Sequence, residues 1–172
     1  MGFFINITRF RSLYDKTQNK GFESSHELRD ILLATVDFSL HKVMVDLKHS
    51  GMMDNSVVLV TTDNGGGPWD SNMPLKGTKE TTFEGGIRGA SFLLSPLLSW
   101  SGYSYSGLLH ISDWVPTLLA LAGVQAPQGI DGKDVWAAIS NNSTSPRHTV
   151  IHNIDQDPSK GTFQVKRHRT QK

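Results

Sequence analysis

Two adjacent oxygen-bearing side chains, Asp63 and Asn64, follow a short apolar run and precede a glycine-rich loop. A carboxylate and an amide carbonyl are hard oxygen donors, which suit Ca²⁺ or Mg²⁺ better than they suit a soft metal. The glycines that follow allow the backbone to turn sharply and to approach a ligand closely. The pair therefore predicts a divalent-cation site, and the alternative is an Asp-Asn-Gly turn that binds nothing.

A second group of charged side chains lies between residues 75 and 89. Lys79 could hold a tetrahedral anion through its compact ammonium group, and Lys76 could do the same. Glu84 could orient a cation, and Arg88 could bind an anion or pair with a carboxylate. The alternative is a solvated loop in which Arg88 is paired internally.

The histidines and the sequons are weaker signals. His110 is expected to pack near the start of a helix, and His152 to belong to loop structure or to face a substrate cleft. Three stretches match the N-glycosylation pattern, which matters only in a chain that enters the secretory pathway. Their acceptor residues are Asn6, Asn141 and Asn142.

The element that would position the first pair is a buried strand. Apolar residues recur every three or four positions from Leu33 to Leu47, which predicts an amphipathic helix from about Ser25 to His49, ended by Gly51. The β-branched run from Ser56 to Thr61 then predicts a strand buried on both faces of a parallel sheet. The cation pair would lie at the carboxyl edge of that sheet, where ligands of open α/β sheets bind.

Two further elements complete an α/β order. Residues Ile87 to Leu94 predict a second strand. Residues Ser112 to Gly123 predict a helix that Ser112 caps, with Pro116 in its first turn and Gly123 at its exit. The order of helix, strand, loop, strand and helix is typical of the α/β class.

Composition excludes several kinds of protein. The 172 residues carry 17 Lys and Arg against 16 Asp and Glu, a net charge of +1 that gives no support to nucleic-acid or membrane-surface binding. The sequence has no Cys, which excludes disulfides and thiolate metal sites within it. No apolar run reaches the ~18 residues that a membrane span needs.

Three regions differ in character along the chain. Residues 1–25 form an N-terminal segment without an assigned role, and residues 26–158 contain all the elements described above. Residues 159–172 are a basic tail, which we expect to be a frayed, solvated end. An anionic partner for that tail is the alternative.

In their order and spacing, these segments resemble the sulfatase family, most closely the arylsulfatase B-like branch. The resemblance extends from about Ile31 to Pro158. The motifs that carry it are Thr-Thr-Asp-Asn-Gly-Gly (61–66), Pro-Leu-Lys-Gly-Thr-Lys-Glu-Thr-Thr-Phe-Glu-Gly-Gly-Ile-Arg-Gly (74–89), His-Ile-Ser-Asp-Trp-Val-Pro-Thr-Leu (110–118), Gly-Ile-Asp-Gly-Lys-Asp-Val-Trp (129–136), Ser-Pro-Arg (145–147) and His-Asn-Ile-Asp (152–155).

The resemblance implies an alkaline-phosphatase-like α/β sandwich, of which this chain would hold only part of the catalytic domain. It also implies calcium-dependent hydrolysis of a sulfuric ester, carried by a small molecule or a glycan, in the lysosome or outside the cell. By position, Asp63 and Asn64 correspond to two calcium ligands, and Lys79 to the lysine that contacts the sulfate. Glu84 and Arg88 correspond to scaffold around the site.

Departures from the family pattern define the alternatives. The resemblance implies a formylglycine nucleophile made from a Cys, and this sequence contains no Cys. We therefore expect a fragment or an incomplete gene model of a sulfatase, inactive and poorly soluble or partly unfolded by itself. The runner-up is a non-catalytic sulfatase-like protein that binds calcium or a sulfated glycan. A third hypothesis is a phosphodiesterase or phosphatase of the same superfamily.

Overall fold

The structure is a computed structural model that describes residues 25–68, 70–157 and 162–170. The N-terminal segment 1–25, apart from its last residue, and the sequon at Asn6 lie outside the described residues. The chain divides into two compact units, which are described separately. The first holds the described residues up to Val57 together with 95–97, and the second holds the described residues of 58–94 together with those from 98 onward.

The first unit is dominated by helix α1, Ser25–His49, which has the predicted bounds. Its last turn carries Lys48, whose positive charge interacts favourably with the negative end of the helix dipole. Gly51, at φ 69°, ends the helix as predicted, because the left-handed conformation suits glycine at this position. The amide of Met52 closes the turn on the carbonyl oxygen of Leu47 at 3.0 Å.

The apolar face of α1 is only partly buried. Leu33, Val36 and Val43 are 60%, 58% and 52% exposed, whereas Leu40 and Leu47 are half-buried. Their spacing predicts correctly that these residues lie on a helix and share one face, but spacing does not show what covers that face. A 3₁₀ helix, Met53–Asn55, follows α1.

The second unit begins with strand β1, Val58–Thr61, which pairs antiparallel with β2, Ser91–Leu94. The prediction of a parallel strand buried on both faces is therefore wrong: β1 is half-buried, and its last residue is exposed. A continuous apolar run identifies a strand but not the direction of its partner. The second predicted strand is shorter than expected, since Glu84–Ile87 forms a helical turn, α2.

The predicted helix from Ser112 to Gly123 is present as a 3₁₀ turn, Ile111–Asp113, that leads into α3, Trp114–Leu121. Its cap is His110 rather than Ser112. The His110 side chain accepts a hydrogen bond from the Ser112 amide, and the Asp113 carboxylate accepts one from the His110 amide at 2.8 Å. The expectation that His110 packs at the start of a helix is confirmed.

The remaining elements are helix α4, Trp136–Ser140, and a hairpin of β3, Thr149–Asp157, with β4, Thr162–Thr170. The hairpin strands are antiparallel, with Thr149 opposite Thr170 and Asp157 opposite Thr162. The basic tail was expected to be frayed, but its backbone from Thr162 to Thr170 is a paired strand. The polar composition of this segment does not reveal that it pairs with a neighbouring strand.

The core of the second unit mixes apolar and polar side chains. Leu108, Val135, Ala138, Ile139 and Val150 are its buried apolar residues. No helix among the described residues is long and apolar enough to cross a membrane.

Candidate functional site

The loop between β1 and β2 folds back on itself through main-chain hydrogen bonds. The Gly65 amide donates to the carbonyl oxygen of Gly86 at 3.0 Å, and the Lys79 amide donates to that of Gly66 at 2.8 Å. The second bond fixes the backbone of Lys79 beside the segment that carries Asp63 and Asn64. The loop therefore brings together the regions that hold the predicted metal ligands and the predicted anion contact.

Glycine is required in this loop because backbone segments touch. A Cβ atom on Gly65 would lie 1.9 Å from the carbonyl oxygen of Gly85. A Cβ atom on Gly85 would lie 2.1 Å from that of Gly77, and one on Gly86 would lie 2.3 Å from that of Thr78. These distances leave no room for a side chain, so the glycines fix the path of the loop.

Replacing Gly65 by alanine is expected to lower the free energy of unfolding by about 1–3 kcal/mol, because the added methyl group would force the two segments apart. Gly67→Ala is the matched control, since its Cβ would meet only the Asp70 carboxylate at 3.7 Å. Urea denaturation of both variants tests this. Equal midpoints for G65A and G67A would contradict the packing argument.

Asp63 and Asn64 lie just after β1, as predicted, with Thr62 between the strand and Asp63. The Asp63 side chain is exposed and forms no hydrogen bond or ion pair within the described part of the chain. Asn64 is half-buried, and its Nδ2 donates to the carbonyl oxygen of Gly65 at 2.7 Å. That bond orients the amide and leaves its Oδ1 oxygen as an acceptor.

The oxygen atoms of Asp63 and Asn64 are of the chemical type that Ca²⁺ prefers, but two side chains supply only part of the ligands that it needs. Two oxygen-bearing side chains are fewer than the six to eight ligands that calcium takes. Among the described residues, no group of three or more His, Asp or Glu side chains could hold a metal ion. Any calcium held here would therefore need further oxygen ligands from water or from other residues.

A cleft of about 600 Å³ opens beside Asp63. It is lined by Asp63 from the end of β1, by Glu84 and Arg88 around α2, and by His110 and His152 from the later motifs. His152 therefore faces a cleft, and the expectation that it belongs to loop structure is wrong because it lies on strand β3. That this cleft binds a substrate stays a prediction. The structure collects in one place charged and titratable residues that lie up to 89 positions apart.

Lys79 and Asn64 are not among the residues that line this cleft. Lys79 is exposed, and its ammonium group is engaged by no protein group within the described residues. The neighbouring Lys76 differs, because its Nζ lies 4.5 Å from the centre of the Phe83 ring. Glu80, directly after Lys79, holds a φ of 75°, a conformation that costs energy in a non-glycine residue and that the surrounding loop imposes.

Arg88 lines the cleft and does not form an internal ion pair with the described residues. Its side chain is exposed, and within the described residues it meets no carboxylate. Its backbone is fixed, since the Arg88 amide donates to the carbonyl oxygen of Glu84 at 2.9 Å. The alternative that Arg88 is paired internally is therefore wrong for the described residues.

A buried ion pair behind the cleft wall was not predicted from the sequence. Asp113 is fully buried, and Arg147 binds it through two donors, Nε to Oδ2 at 2.7 Å and Nη2 to Oδ1. The amides of His110 and Lys133 also donate to this carboxylate, at 2.8 and 2.9 Å. The partners lie 34 positions apart, so only their presence in two of the quoted motifs could have pointed to them.

The hydrogen bonds between Asp113 and Arg147 shift the pKa values of both residues. Burial raises the pKa of Asp113, but the hydrogen bonds from Arg147 and from the two amides outweigh it and bring that pKa below its usual value. The hydrogen bond to Asp113 raises the pKa of Arg147 in turn. Because Asp113 also binds the His110 amide, the pair fixes the position of a residue that lines the cleft.

Comparison with known proteins gives a consistent result. The family profile described as Sulfatase matches residues 6–124. Arylsulfatase J of Mus musculus is 44% identical over 128 residues, which are 72% of this chain and 21% of the relative. Arylsulfatase A of Bos taurus is 32% identical over 147 residues, which are 78% of this chain and 28% of the relative. The chain thus spans between a fifth and a third of the length of these relatives.

Solved structures agree with the sequence matches. The crystal structure of Ps i-CgsB in complex with k-i-k-neocarrahexaose superposes with a TM-score of 0.66 at 28% identity, covering 78% of this chain and 30% of that one. The structure of Ps i-CgsB without that saccharide gives the same values. These matches confirm the predicted fold class, an α/β alkaline-phosphatase-like sandwich of which this chain holds a part.

Proposed function

This chain belongs to the sulfatase family, and from that premise we propose that it forms part of a calcium-dependent hydrolase of sulfuric esters. The observation that carries the proposal is the position of Asp63, which lies two residues after the end of β1 and lines the cleft. Asn64 is adjacent to it, and the loop bond from Lys79 to Gly66 holds the lysine backbone close by.

Each of the three residues has a distinct role in this proposal. Asp63 and Asn64 hold Ca²⁺, which when bound polarises an oxygen of the sulfate group. Lys79 contacts the sulfate and neutralises the negative charge that builds in the transition state. The role of Lys79 requires an ammonium group that no protein acceptor already holds, which agrees with its surroundings in the described residues.

The substrate in this proposal is a sulfated small molecule or a glycan. The cleft of about 600 Å³ is within the size range of small-molecule sites. Arg88 and the two cleft histidines add donors that suit an anionic or hydroxyl-rich ligand. We place the protein in the lysosome or the secretory pathway, by analogy with the arylsulfatases it resembles.

The calcium site predicts a loss of affinity in a single variant. Asp63→Asn is expected to weaken Ca²⁺ binding by at least about tenfold, because even residues that only support a metal ligand commonly contribute that much. Isothermal titration of the chain with CaCl₂ measures it. Asp54→Asn, an exposed acidic residue of the 3₁₀ helix, is the control and should bind as the wild type does. Equal affinities for wild type and D63N would remove Asp63 from the site.

A second candidate is a sulfatase-like protein that binds calcium or a sulfated glycan without turnover. It draws on the same residues, because Asp63, Asn64 and Lys79 could bind a cation and a sulfate group without a nucleophile. Titration with a sulfated saccharide, followed by an assay for released sulfate, separates the two. Binding without sulfate release supports the second candidate, and sulfate release supports the first.

A further inference from the structure

We propose that Asn142, and not its neighbour Asn141, is the N-glycosylation acceptor in the overlapping sequons after helix α4. The sequence Asn141-Asn142-Ser143-Thr144 contains two acceptor patterns that share residues. Two bulky glycans cannot easily occupy adjacent asparagines, so the local structure must favour one of them. This inference rests on the proposed placement of the protein in the lysosome or the secretory pathway, and not on the proposed hydrolase activity.

Asn141 is the residue that caps the C-terminal end of helix α4. Its amide donates to the carbonyl oxygen of Ala137 at 3.1 Å, which continues the helical pattern by one residue. It directly follows a buried segment of α4, since Ala138, Ile139 and Ser140 are all buried. The Asn141 side chain is exposed, but a glycan on it would be attached directly beside the buried end of the helix.

Asn142 marks the point where the chain leaves the helix. Its φ is 49°, in the left-handed region that asparagine tolerates better than most residues. Its side chain is exposed, and within the described residues neither that side chain nor the Thr144 hydroxyl forms a hydrogen bond. A glycan on Asn142 would displace no existing contact.

The backbone around the second pattern is held in place on its buried side. The Ser143 amide donates to the carbonyl oxygen of Ala138 at 2.9 Å, and the carbonyl oxygen of Ser143 accepts from the Tyr105 hydroxyl at 2.9 Å. These bonds use main-chain atoms and leave the side chains of Asn142 and Thr144 outward of the fold. The folded chain can therefore carry the modification at this position without rearrangement.

The modification is a group transfer from a lipid-diphosphate-linked oligosaccharide, carried out by the host transferase. The Nδ2 nitrogen of Asn142 forms a bond to the anomeric carbon, and the bond from that carbon to the diphosphate oxygen breaks. The lipid diphosphate leaves, and the proton from Nδ2 passes to a base of the transferase.

Two single substitutions distinguish the acceptors, because each destroys only one pattern. Ser143→Ala removes the pattern of Asn141, and Thr144→Ala removes that of Asn142 without touching the left-handed residue itself. The full chain is expressed in eukaryotic cells behind a cleavable secretion signal, with Asn6→Gln in every variant. A control sequon added after Lys172 reports entry into the secretory pathway. Gel mobility before and after peptide N-glycosidase treatment counts the glycans.

The expected result is one glycan besides the control in the N6Q chain and in its S143A variant, and only the control glycan in its T144A variant. Mass spectrometry after enzymatic release should find the Asn-to-Asp conversion at Asn142. The proposal is overturned by a glycan that is lost in S143A, by one that survives T144A, by two glycans at once, or by the control glycan alone in the N6Q chain.

Discussion

Replacing Arg147 by methionine is expected to lower the free energy of unfolding by about 3–5 kcal/mol, the usual cost of removing one partner of a buried ion pair. Asp113 is fully buried, so the variant would leave an uncompensated carboxylate in the core of the second unit. The loss also removes the hydrogen bond from Arg147 to the carbonyl oxygen of Asp131 at 2.8 Å. Urea denaturation followed by circular dichroism measures the change.

A surface ion pair gives the matched control. Arg29 and Asp30 approach to 3.7 Å, with side chains 45% and 61% exposed, and such pairs contribute little to stability. Asp30→Asn should therefore leave the urea midpoint nearly unchanged. If R147M and D30N shift the midpoint by the same amount, the buried pair does not stabilise the fold as described.

The same variant should change the response to acid, and the sign follows from the direction of the pKa shift. The pKa of Asp113 is lowered in the folded chain, so its ion pair contributes fully above the unfolded value of about 3.9 and is lost as the pH falls through the lower folded value. In R147M the hydrogen bonds and the charge of Arg147, which lower the pKa of Asp113, would be gone, while the burial that raises this pKa would remain. The stability difference between wild type and variant should therefore shrink on acidification, and a difference that grows would contradict the assignment.

The apolar periodicity of helix α1 predicts the bounds of the helix but not its burial. Its start and its end were predictable, because the apolar spacing and Gly51 are local signals. The burial of its apolar face was not, because burial depends on what packs there. The same holds for strand β1. The apolar run predicted where the strand lies, but not its antiparallel pairing, because its partner β2 lies some thirty positions later.

The second predicted strand shows a local rule overridden by tertiary contact. The run from Ile87 to Leu94 is rich in apolar residues, yet its first residue belongs to the helical turn α2. Gly85 and Gly86 in that turn pack directly against the carbonyl oxygens of Gly77 and Thr78. Sequence patterning cannot anticipate such a contact, because the constraint comes from a segment that is adjacent only after the loop has folded.

The position of the two predicted donor residues could be anticipated from the sequence, but their surroundings could not. Asp63 and Asn64 were identified from residue type and from their position after a strand, and the structure places them there. The cleft lining could not be read from the sequence, since it joins β1, α2 and the hairpin strand β3. The buried pair of Asp113 and Arg147 likewise depends on a contact across 34 positions.

Replacing Lys79 by alanine is expected to lower the turnover of a complete, active sulfatase that carries this segment by roughly 10²–10³, about 2.7–4 kcal/mol, the scale of one electrostatic contact to a developing negative charge. Because the charge on the transferred sulfate group grows toward the transition state, kcat should fall more than KM rises. Steady-state kinetics with an aryl sulfate measure both constants.

Lys76→Ala is the control that separates a specific contact from a general loss of positive charge. Both lysines are exposed and lie three positions apart, but Lys76 packs its ammonium group over the Phe83 ring, whereas Lys79 has no protein partner in the described residues. K76A should therefore keep most of the activity. Lys79→Arg should recover only part of it, because a planar guanidinium does not reproduce the compact charge of an ammonium group. Equal turnover in K79A and wild type would remove Lys79 from the site, and equal losses in K79A and K76A would show that the loop acts only through its net charge.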